Sequence, residues 1–221
     1  MNIEQARYNM IEQQIRPWDV LDASVLSLLS IVRREQFVPL GCQALSFVDT
    51  EVPLREASGG DECMLSPKVE ARLLQELALH KHESVLEIGT GSGHMASLLG
   101  HKAQQVHSLE INPALVAFAR ANLRRGHVVN VTVHELNGAQ GFAEEAPFDA
   151  ILLSGSVADV PAAMLAQLKV GGRLAAVVGQ LPIMRAVLIR RTTEHDFHTE
   201  VLFDTVAPRL SGFTEPSQFK F

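Results

Sequence analysis

The sequence predicts an α/β fold built on a mostly parallel, doubly wound, Rossmann-like sheet. Three observations indicate it. Strand-like and helix-like segments alternate over residues 84–178, a glycine-rich turn at 89–93 follows the first apolar strand, and an antiparallel hairpin at 186–206 ends the pattern. Strands that alternate with helices form parallel sheets with right-handed crossovers. A strand, a glycine turn and a helix in that order begin a nucleotide-binding sheet.

The bulk composition suits a single domain with a packed core. Of 221 residues, 47% are hydrophobic and 20% are charged, which favours a folded chain over a disordered one. The net charge of −6 argues against a nucleic-acid backbone as a partner. No apolar run approaches the roughly 18 residues of a membrane span, and residues 1–20 lack the apolar stretch of a secretory signal. We therefore expect a cytoplasmic protein without a membrane or nucleic-acid partner, and its oligomeric state stays open.

The first part of the chain is predicted to be helical and then to form a long loop. Apolar spacing indicates helices over residues 3–15 and 21–35, with Asp22 as the cap of the second. Prolines, glycines and small polar residues, including a cluster at 58–61, predict a loop over 40–65 with room for one short strand.

A third helix leads into the alternating part of the chain. Ser66 is its predicted N-cap residue, because Pro67 suits the first helical position, and the apolar periodicity continues to about residue 80. The same periodicity assigns strands to residues 84–88, 105–109, 129–134, 149–153 and 173–178, and helices to residues 93–100, 113–124 and 160–168.

The glycine turn indicates the kind of nucleotide that the sheet binds. Gly89, Gly91 and Gly93 alternate after an apolar strand that contains Glu87, and glycine lets a ligand lie directly on the backbone. The dinucleotide pattern G-x-G-x-x-G requires glycine or alanine where this chain has His94. An acid two residues before a G-x-G-x-G turn instead resembles motif I of the S-adenosylmethionine-dependent methyltransferases. The resemblance implies that Glu87 lies near the cationic methionine end of that cofactor.

A second acid follows at the spacing expected for a ribose ligand. Glu110 ends the strand predicted at 105–109 and lies 21 positions after Gly89, close to the spacing of about 20 for the acid that binds ribose hydroxyls. A carboxylate that accepts from both hydroxyls makes two charge-assisted hydrogen bonds. We therefore predict that Glu110 binds the ribose.

Nearly the whole chain resembles the protein-L-isoaspartate O-methyltransferases. The matching segments are residues 10–16, residues 32–39 with their similarity to the family's P-R-x-x-F-V-P element, residues 85–93, residues 106–110, residues 148–151 and residues 168–174. The resemblance implies a class I methyltransferase fold with an N-terminal helical extension and a C-terminal antiparallel hairpin. It also implies an enzyme that methylates the α-carboxyl of L-isoaspartyl residues in damaged proteins, with S-adenosyl-L-methionine as cofactor and S-adenosyl-L-homocysteine as product.

The resemblance also assigns parts of the chain to tasks. It divides the predicted single domain, 1–221, into N-terminal helices with an active-site loop (1–80), a cofactor-binding core (81–180) and a hairpin with a tail (181–221). Ser66 would seat the acceptor. The implied cofactor-binding residues are Glu87, Gly89, Gly91 and Gly93 for the methionine portion, Glu110 for the ribose, and Asn137 and Gly138 for the adenine. Thr90, Ser92 and Ile111 complete the predicted cofactor-binding set. No metal site is predicted, because the histidine pairs at 80/82 and 195/198 lack a third ligand at a suitable spacing.

Two departures from the family pattern concern the site. The family's Gly-Gln-Thr-Ile-Ser loop corresponds to Glu-Cys-Met-Leu-Ser at 62–66, and the family's Asp-Gly pair is Asn137-Gly138 here. An asparagine carbonyl still accepts a hydrogen bond from the adenine amino group. The altered loop leaves two alternatives open: a related methyltransferase with another acceptor, and a protein that binds S-adenosylmethionine without transferring the methyl group.

Overall fold

The computed structural model describes residues 2–55 and 62–215, so the turn predicted at 58–61 lies outside it. The strands are β1 (Val52–Pro53), β2 (Cys63–Met64), β3 (Ser84–Ile88), β4 (Gln105–Glu110), β5 (Val131–Glu135), β6 (Phe148–Val157), β7 (Leu168–Gln180), β8 (Ile183–Arg191) and β9 (Phe197–Thr205). The main sheet contains seven of them, in the order β5-β4-β3-β6-β7-β8-β9. The pairs from β5 to β7 are parallel, and β8 and β9 add antiparallel edges. The predicted fold class is confirmed.

Helices cover both faces of this sheet. The α-helices are α1 (Ile3–Met10), α2 (Ala23–Ile31), α3 (Pro67–Leu77), α4 (His94–Lys102), α5 (Pro113–Arg125) and the short α6 (Ala162–Leu165). Each face of the sheet has its own hydrophobic core, and adjacent residues of β3 belong to different ones. Val85 packs with residues of α1 to α4, whereas Leu86 packs with Met164 of α6 on the opposite face. Successive side chains of a strand point to opposite faces, so an apolar run buried on both sides makes β3 a central strand. None of the helices described for residues 2–55 and 62–215 is long and apolar enough to cross a bilayer.

The N-terminal region follows the prediction with local changes. Asp22 caps α2 as predicted, since its carboxylate accepts from the backbone N–H groups of Ser24 and Val25. The predicted helix over 21–35 ends early at Ile31, and a 3₁₀ turn follows at Arg34–Gln36. The reason is tertiary: the buried Arg34 side chain pairs with Glu70 of α3. Within 40–65, residues Leu40–Phe47 form 3₁₀ structure, and β1 and β2 pair with each other where one strand at most was expected.

The helix predicted over 160–168 is mostly wrong. Only Ala162–Leu165 is helical, and β7 begins at Leu168, which pairs with Phe148. The Gln167 side chain accepts from the Phe142 N–H at 2.7 Å and donates to the Gln140 carbonyl at 2.7 Å. These long-range bonds fix an extended exit from the helix that local periodicity does not encode.

Candidate active site

A groove beside the glycine turn opens at the carboxyl ends of β3, β4 and β6. It encloses about 630 Å³, including its open mouth. Five predicted site residues line it, namely Gly89, Gly91, Glu110, Ile111 and Gly138. The chain leaves β3 toward β4 on one side and returns to β6 on the other, so the groove lies at a topological switch point, where open α/β sheets bind ligands.

The three glycines of the turn have different tasks. All three adopt positive φ, at +90° for Gly89, +53° for Gly91 and +82° for Gly93. Gly89 and Gly91 line the groove, so their bare backbone is available to a ligand. Gly93 begins α4, and a Cβ there would lie 3.3 Å from the Cβ of Ala119 on α5. Gly93 is therefore a packing position between helices rather than a groove position.

Glu110 is held in place at the edge of the groove. Its carboxylate accepts from the Gly91 N–H at 2.8 Å and from the Asn112 N–H at 2.9 Å. Burial raises the pKa of Glu110 above its ordinary value, although the backbone N–H donors oppose this effect. Each carboxylate oxygen has a second lone pair, so the orientation suits acceptance from a ribose diol.

Glu87 lies beneath the turn and is not among the described residues that border the groove. It is fully buried, and its oxygens accept from the hydroxyls of Ser108 at 2.5 Å and Ser154 at 2.8 Å. Burial raises the pKa of Glu87 to about 8, against the effect of the two hydroxyl donors. At neutral pH this carboxyl is therefore mostly protonated. The Ser154 hydroxyl links it to the groove, and the Ser108 hydroxyl links it to the hydroxyl of Thr90, at 2.6 Å from Ser108.

The turn after β5 contains the two residues that the sequence assigns to adenine, Asn137 and Gly138. Gly138 lines the groove, and a Cβ on it would lie 2.5 Å from Cγ2 of Ile88. The Asn137 side chain accepts from the Ala139 N–H at 3.0 Å. Gly212 of the C-terminal tail packs on the same side chain, because a Cβ there would lie 2.6 Å from its Oδ1.

A smaller groove of about 270 Å³ adjoins the turn on its other side. Thr90 and Ser92 line it, together with Ser154 and with Glu70 of α3. The altered loop supplies its apolar wall through Cys63, Met64 and Leu65. The two grooves share part of their lining, since Leu54, Cys63, Gly89, Gly91 and Ser154 border both.

Ser66 occupies the predicted N-cap position of α3, but its side chain makes no capping hydrogen bond. The Lys68 N–H of the first turn instead donates to the carboxylate of Asp49, at 3.4 Å. The hydroxyl of the half-buried Ser66 is therefore not engaged by its own helix.

Sequence reasoning missed three contributors to this site. Ser154 borders both grooves, and its place directly after the predicted strand 149–153 was a signal that could have found it. Glu70 carried no such signal, because it falls within an ordinary amphipathic helix. The tail segment 208–211 lines the large groove, and nothing in its local sequence predicts a return to the glycine turn.

These residues form a site whose chemistry suits an adenosyl ligand. The bare backbone of Gly89 and Gly91 gives a ligand close access, and the fixed carboxylate of Glu110 offers acceptor oxygens to a diol. A sequence model of the protein-L-isoaspartate(D-aspartate) O-methyltransferases matches residues 5–207. The chain belongs to this family.

Individual relatives agree with this membership. The protein-L-isoaspartate O-methyltransferase 1 of Syntrophobacter fumaroxidans is 34% identical over 201 residues, which are 91% of this chain and 92% of that protein. The protein-L-isoaspartate O-methyltransferase of Burkholderia lata is 39% identical over 80% of this chain, and the match spans 56% of that longer protein.

A solved structure supports the fold. A Plasmodium falciparum protein of the same methyltransferase name, crystallised with S-adenosyl-L-homocysteine, superposes with a TM-score of 0.79 at 20% identity, over 96% of this chain and 99% of that one. Membership in the protein-L-isoaspartate O-methyltransferase family confirms the sequence-based recognition. It also confirms the expected class of enzyme, an O-methyltransferase that uses S-adenosylmethionine.

Proposed function

We propose that this protein methylates the α-carboxyl group of L-isoaspartyl residues in damaged proteins and peptides. The observation that carries the proposal is the groove at the switch point, where the glycine turn and Glu110 meet in a chain whose family match covers residues 5–207. The two cysteines are not disulfide-bonded, which is typical of the cytoplasm, the proposed compartment.

Each predicted site residue has a proposed task. Bound S-adenosylmethionine supplies the methyl group from its sulfonium. Gly89, Thr90, Gly91 and Ser92 border the methionine portion, Gly93 fixes the start of α4, and Glu87 holds Ser154 from beneath. Glu110 and Ile111 hold the ribose, and Asn137 and Gly138 hold the adenine edge.

The acceptor makes few chemical demands on the protein. An α-carboxyl group has a pKa of about 3.5, so it is ionised at neutral pH and needs no general base. The remaining task is to orient the acceptor and exclude water. We assign the orienting role to Ser66, because its hydroxyl is not used by α3 and it directly follows the loop at 62–65.

A second candidate keeps the cofactor and changes the acceptor. Cys63, Met64 and Leu65 make the wall of the small groove apolar, where the family has a polar Gln-Thr pair. An apolar wall favours an acceptor with more carbon surface than an aspartyl backbone.

Methyl transfer to a peptide separates these candidates. The test uses radiolabelled S-adenosylmethionine, an isoaspartyl peptide and the matched aspartyl peptide as control. Base-labile label in the isoaspartyl peptide alone is the expected result. No incorporation, in a preparation that binds S-adenosylhomocysteine, would contradict the proposal and direct the search to other acceptors or to a non-catalytic role.

A further inference from the structure

The small groove contains a carboxylate that the glycine motif does not predict. Glu70 lies in the first half of α3, and it borders this groove together with Thr90, Ser92 and Ser154. The glycine turn thus has an acid on each of two sides: Glu87 beneath it, in β3, and Glu70 across the groove from it.

Glu70 is held as an anion. Arg34 and Nδ1 of His94 both contact its Oε2 atom, the latter at 3.1 Å. Burial would raise the pKa of Glu70, but the Arg34 guanidinium and the His94 ring outweigh burial and hold it below its ordinary value. Oε1 has no hydrogen-bond partner among residues 2–55 and 62–215.

Glu87 has the opposite character. Its two oxygens are both engaged by serine hydroxyls, and it has no exposed surface. The charge of Glu70 and that of Glu110 add to the effect of burial in raising the pKa of Glu87. A protonated carboxyl under the turn gives little attraction to a cation.

We infer that Glu70, rather than Glu87, is the carboxylate that binds the α-ammonium group at the methionine end of the cofactor. The inference rests on the cofactor part of the proposed function. Glu70 shares the lining of the small groove with Thr90, Ser92 and Ser154, and its Oε1 atom accepts no hydrogen bond from the described ranges 2–55 and 62–215. An ammonium donor placed there makes a charge-assisted hydrogen bond in a poorly solvated site.

The same cluster connects the ammonium site to the altered loop. Arg34 donates a second hydrogen bond to the Leu65 carbonyl at 2.7 Å, directly before Ser66. Occupation of Glu70 by a cation therefore acts on an ion pair that also fixes the loop. Glu70 is a binding residue, and Arg34 and His94 position it.

The test compares two ligands that differ in the amino-acid portion. S-adenosylhomocysteine carries the ammonium group, whereas 5′-methylthioadenosine keeps only the adenosine and the sulfur. Calorimetric titration measures both affinities in the wild-type protein and in Glu70→Gln. We expect Glu70→Gln to lower the affinity for S-adenosylhomocysteine by roughly tenfold or more, because one hydrogen bond to a charged group is lost. The affinity for 5′-methylthioadenosine should stay unchanged.

Two further variants serve as controls. Glu76→Gln changes a glutamate of the same helix that pairs with Arg72, and both affinities should stay at the wild-type value. Glu87 is not among the residues that line either groove, so we expect any change caused by Glu87→Gln to be equal for the two ligands. Because removing one partner of a buried ion pair destabilises a protein, Glu70→Asp, which keeps the charge and shortens the reach, provides a second variant if Glu70→Gln does not fold.

The outcomes are distinguishable. The inference is supported if Glu70→Gln, or to a smaller extent Glu70→Asp, lowers the affinity for S-adenosylhomocysteine but not for 5′-methylthioadenosine. It would be overturned if both affinities fell equally, if neither fell, or if only Glu87→Gln lowered the affinity for S-adenosylhomocysteine selectively. Failure of the wild-type protein to bind either ligand would instead contradict the proposed function.

Discussion

Leu210 lies directly against Gly89, the first glycine of the turn: a Cβ placed on Gly89 would be 2.6 Å from Cδ2 of Leu210. The tail is fixed in this position by two backbone hydrogen bonds to Ser156 of β6, from the Leu210 N–H and to the Pro208 carbonyl. Residues 208–211 thereby form one wall of the large groove. A residue near the end of the chain thus limits what the motif near its middle tolerates.

Gly89→Ala should lower the free energy of unfolding by more than the positive φ of this position alone explains. Positive φ costs a non-glycine residue about 1–2 kcal/mol, and the clash with Leu210 adds to this cost and displaces the groove wall. Gly171→Ala is a matched control, because Gly171 has a similar φ of +85° and nothing lies within 4 Å of its added Cβ. We expect a larger loss of unfolding free energy for Gly89→Ala in urea titrations, together with weaker S-adenosylhomocysteine binding. Equal effects of the two variants would show that Leu210 yields at no cost.

Glu110→Gln should weaken cofactor binding. Its two carboxylate oxygens already accept from Gly91 and Asn112, and a carboxamide has only one acceptor oxygen to divide between these donors and a ribose diol. We expect S-adenosylhomocysteine affinity to fall roughly tenfold or more in calorimetric titrations. Glu135→Gln is the control, since Glu135 is exposed at the paired position of the neighbouring strand. Similar affinities for both variants would argue against the ribose role.

Glu87 should make stability depend on pH. Its pKa in the folded chain is about 8 and its ordinary value is 4.5, so between these values the unfolded chain releases a proton that the folded chain retains. The free energy of unfolding therefore falls as the pH rises through this window, by at most about 1.4 kcal/mol per pH unit for one proton. Glu87→Gln removes this contribution, so its stability relative to the wild type should increase from acidic toward alkaline pH. Urea titrations across the window measure the difference, and the exposed Glu200→Gln should show none. A difference that stays constant with pH would contradict the prediction.

Ser66→Ala should separate a role in catalysis from a role in folding. The Ser66 side chain makes no capping bond, so its loss should change the unfolding free energy by no more than about 0.5 kcal/mol. Methyl transfer to the isoaspartyl peptide should fall several-fold, with unchanged S-adenosylhomocysteine affinity. Asp22→Ala provides the contrast, because Asp22 caps α2 and its loss should cost about 1 kcal/mol without affecting transfer. Full activity of Ser66→Ala would remove Ser66 from the acceptor site.

The accuracy of the sequence-based interpretation depended on how local the signals were. Strand β3 and the glycine turn were located correctly, because apolar periodicity and glycine conformation are properties of neighbouring residues. The helix predicted over 160–168 was wrong where Gln167 bonds to Phe142 and Gln140, and the helix over 21–35 ended early where Arg34 turns toward Glu70. In both cases a distant partner outweighed local propensity.

The sequence by itself determined the sheet, its glycine turn and the family, and it placed Glu110 beside the turn, since each of these follows from short-range pattern and spacing. Only the tertiary structure decided which of the acidic residues near the turn is protonated and which is ionised. Glu87 belongs to the motif but is buried and protonated under Ser154, whereas Glu70 comes from a helix outside the motif and remains an anion at the groove. The physical reason is that burial and the charge of distant neighbours set a carboxyl group's ionisation, and both depend on how separate segments pack.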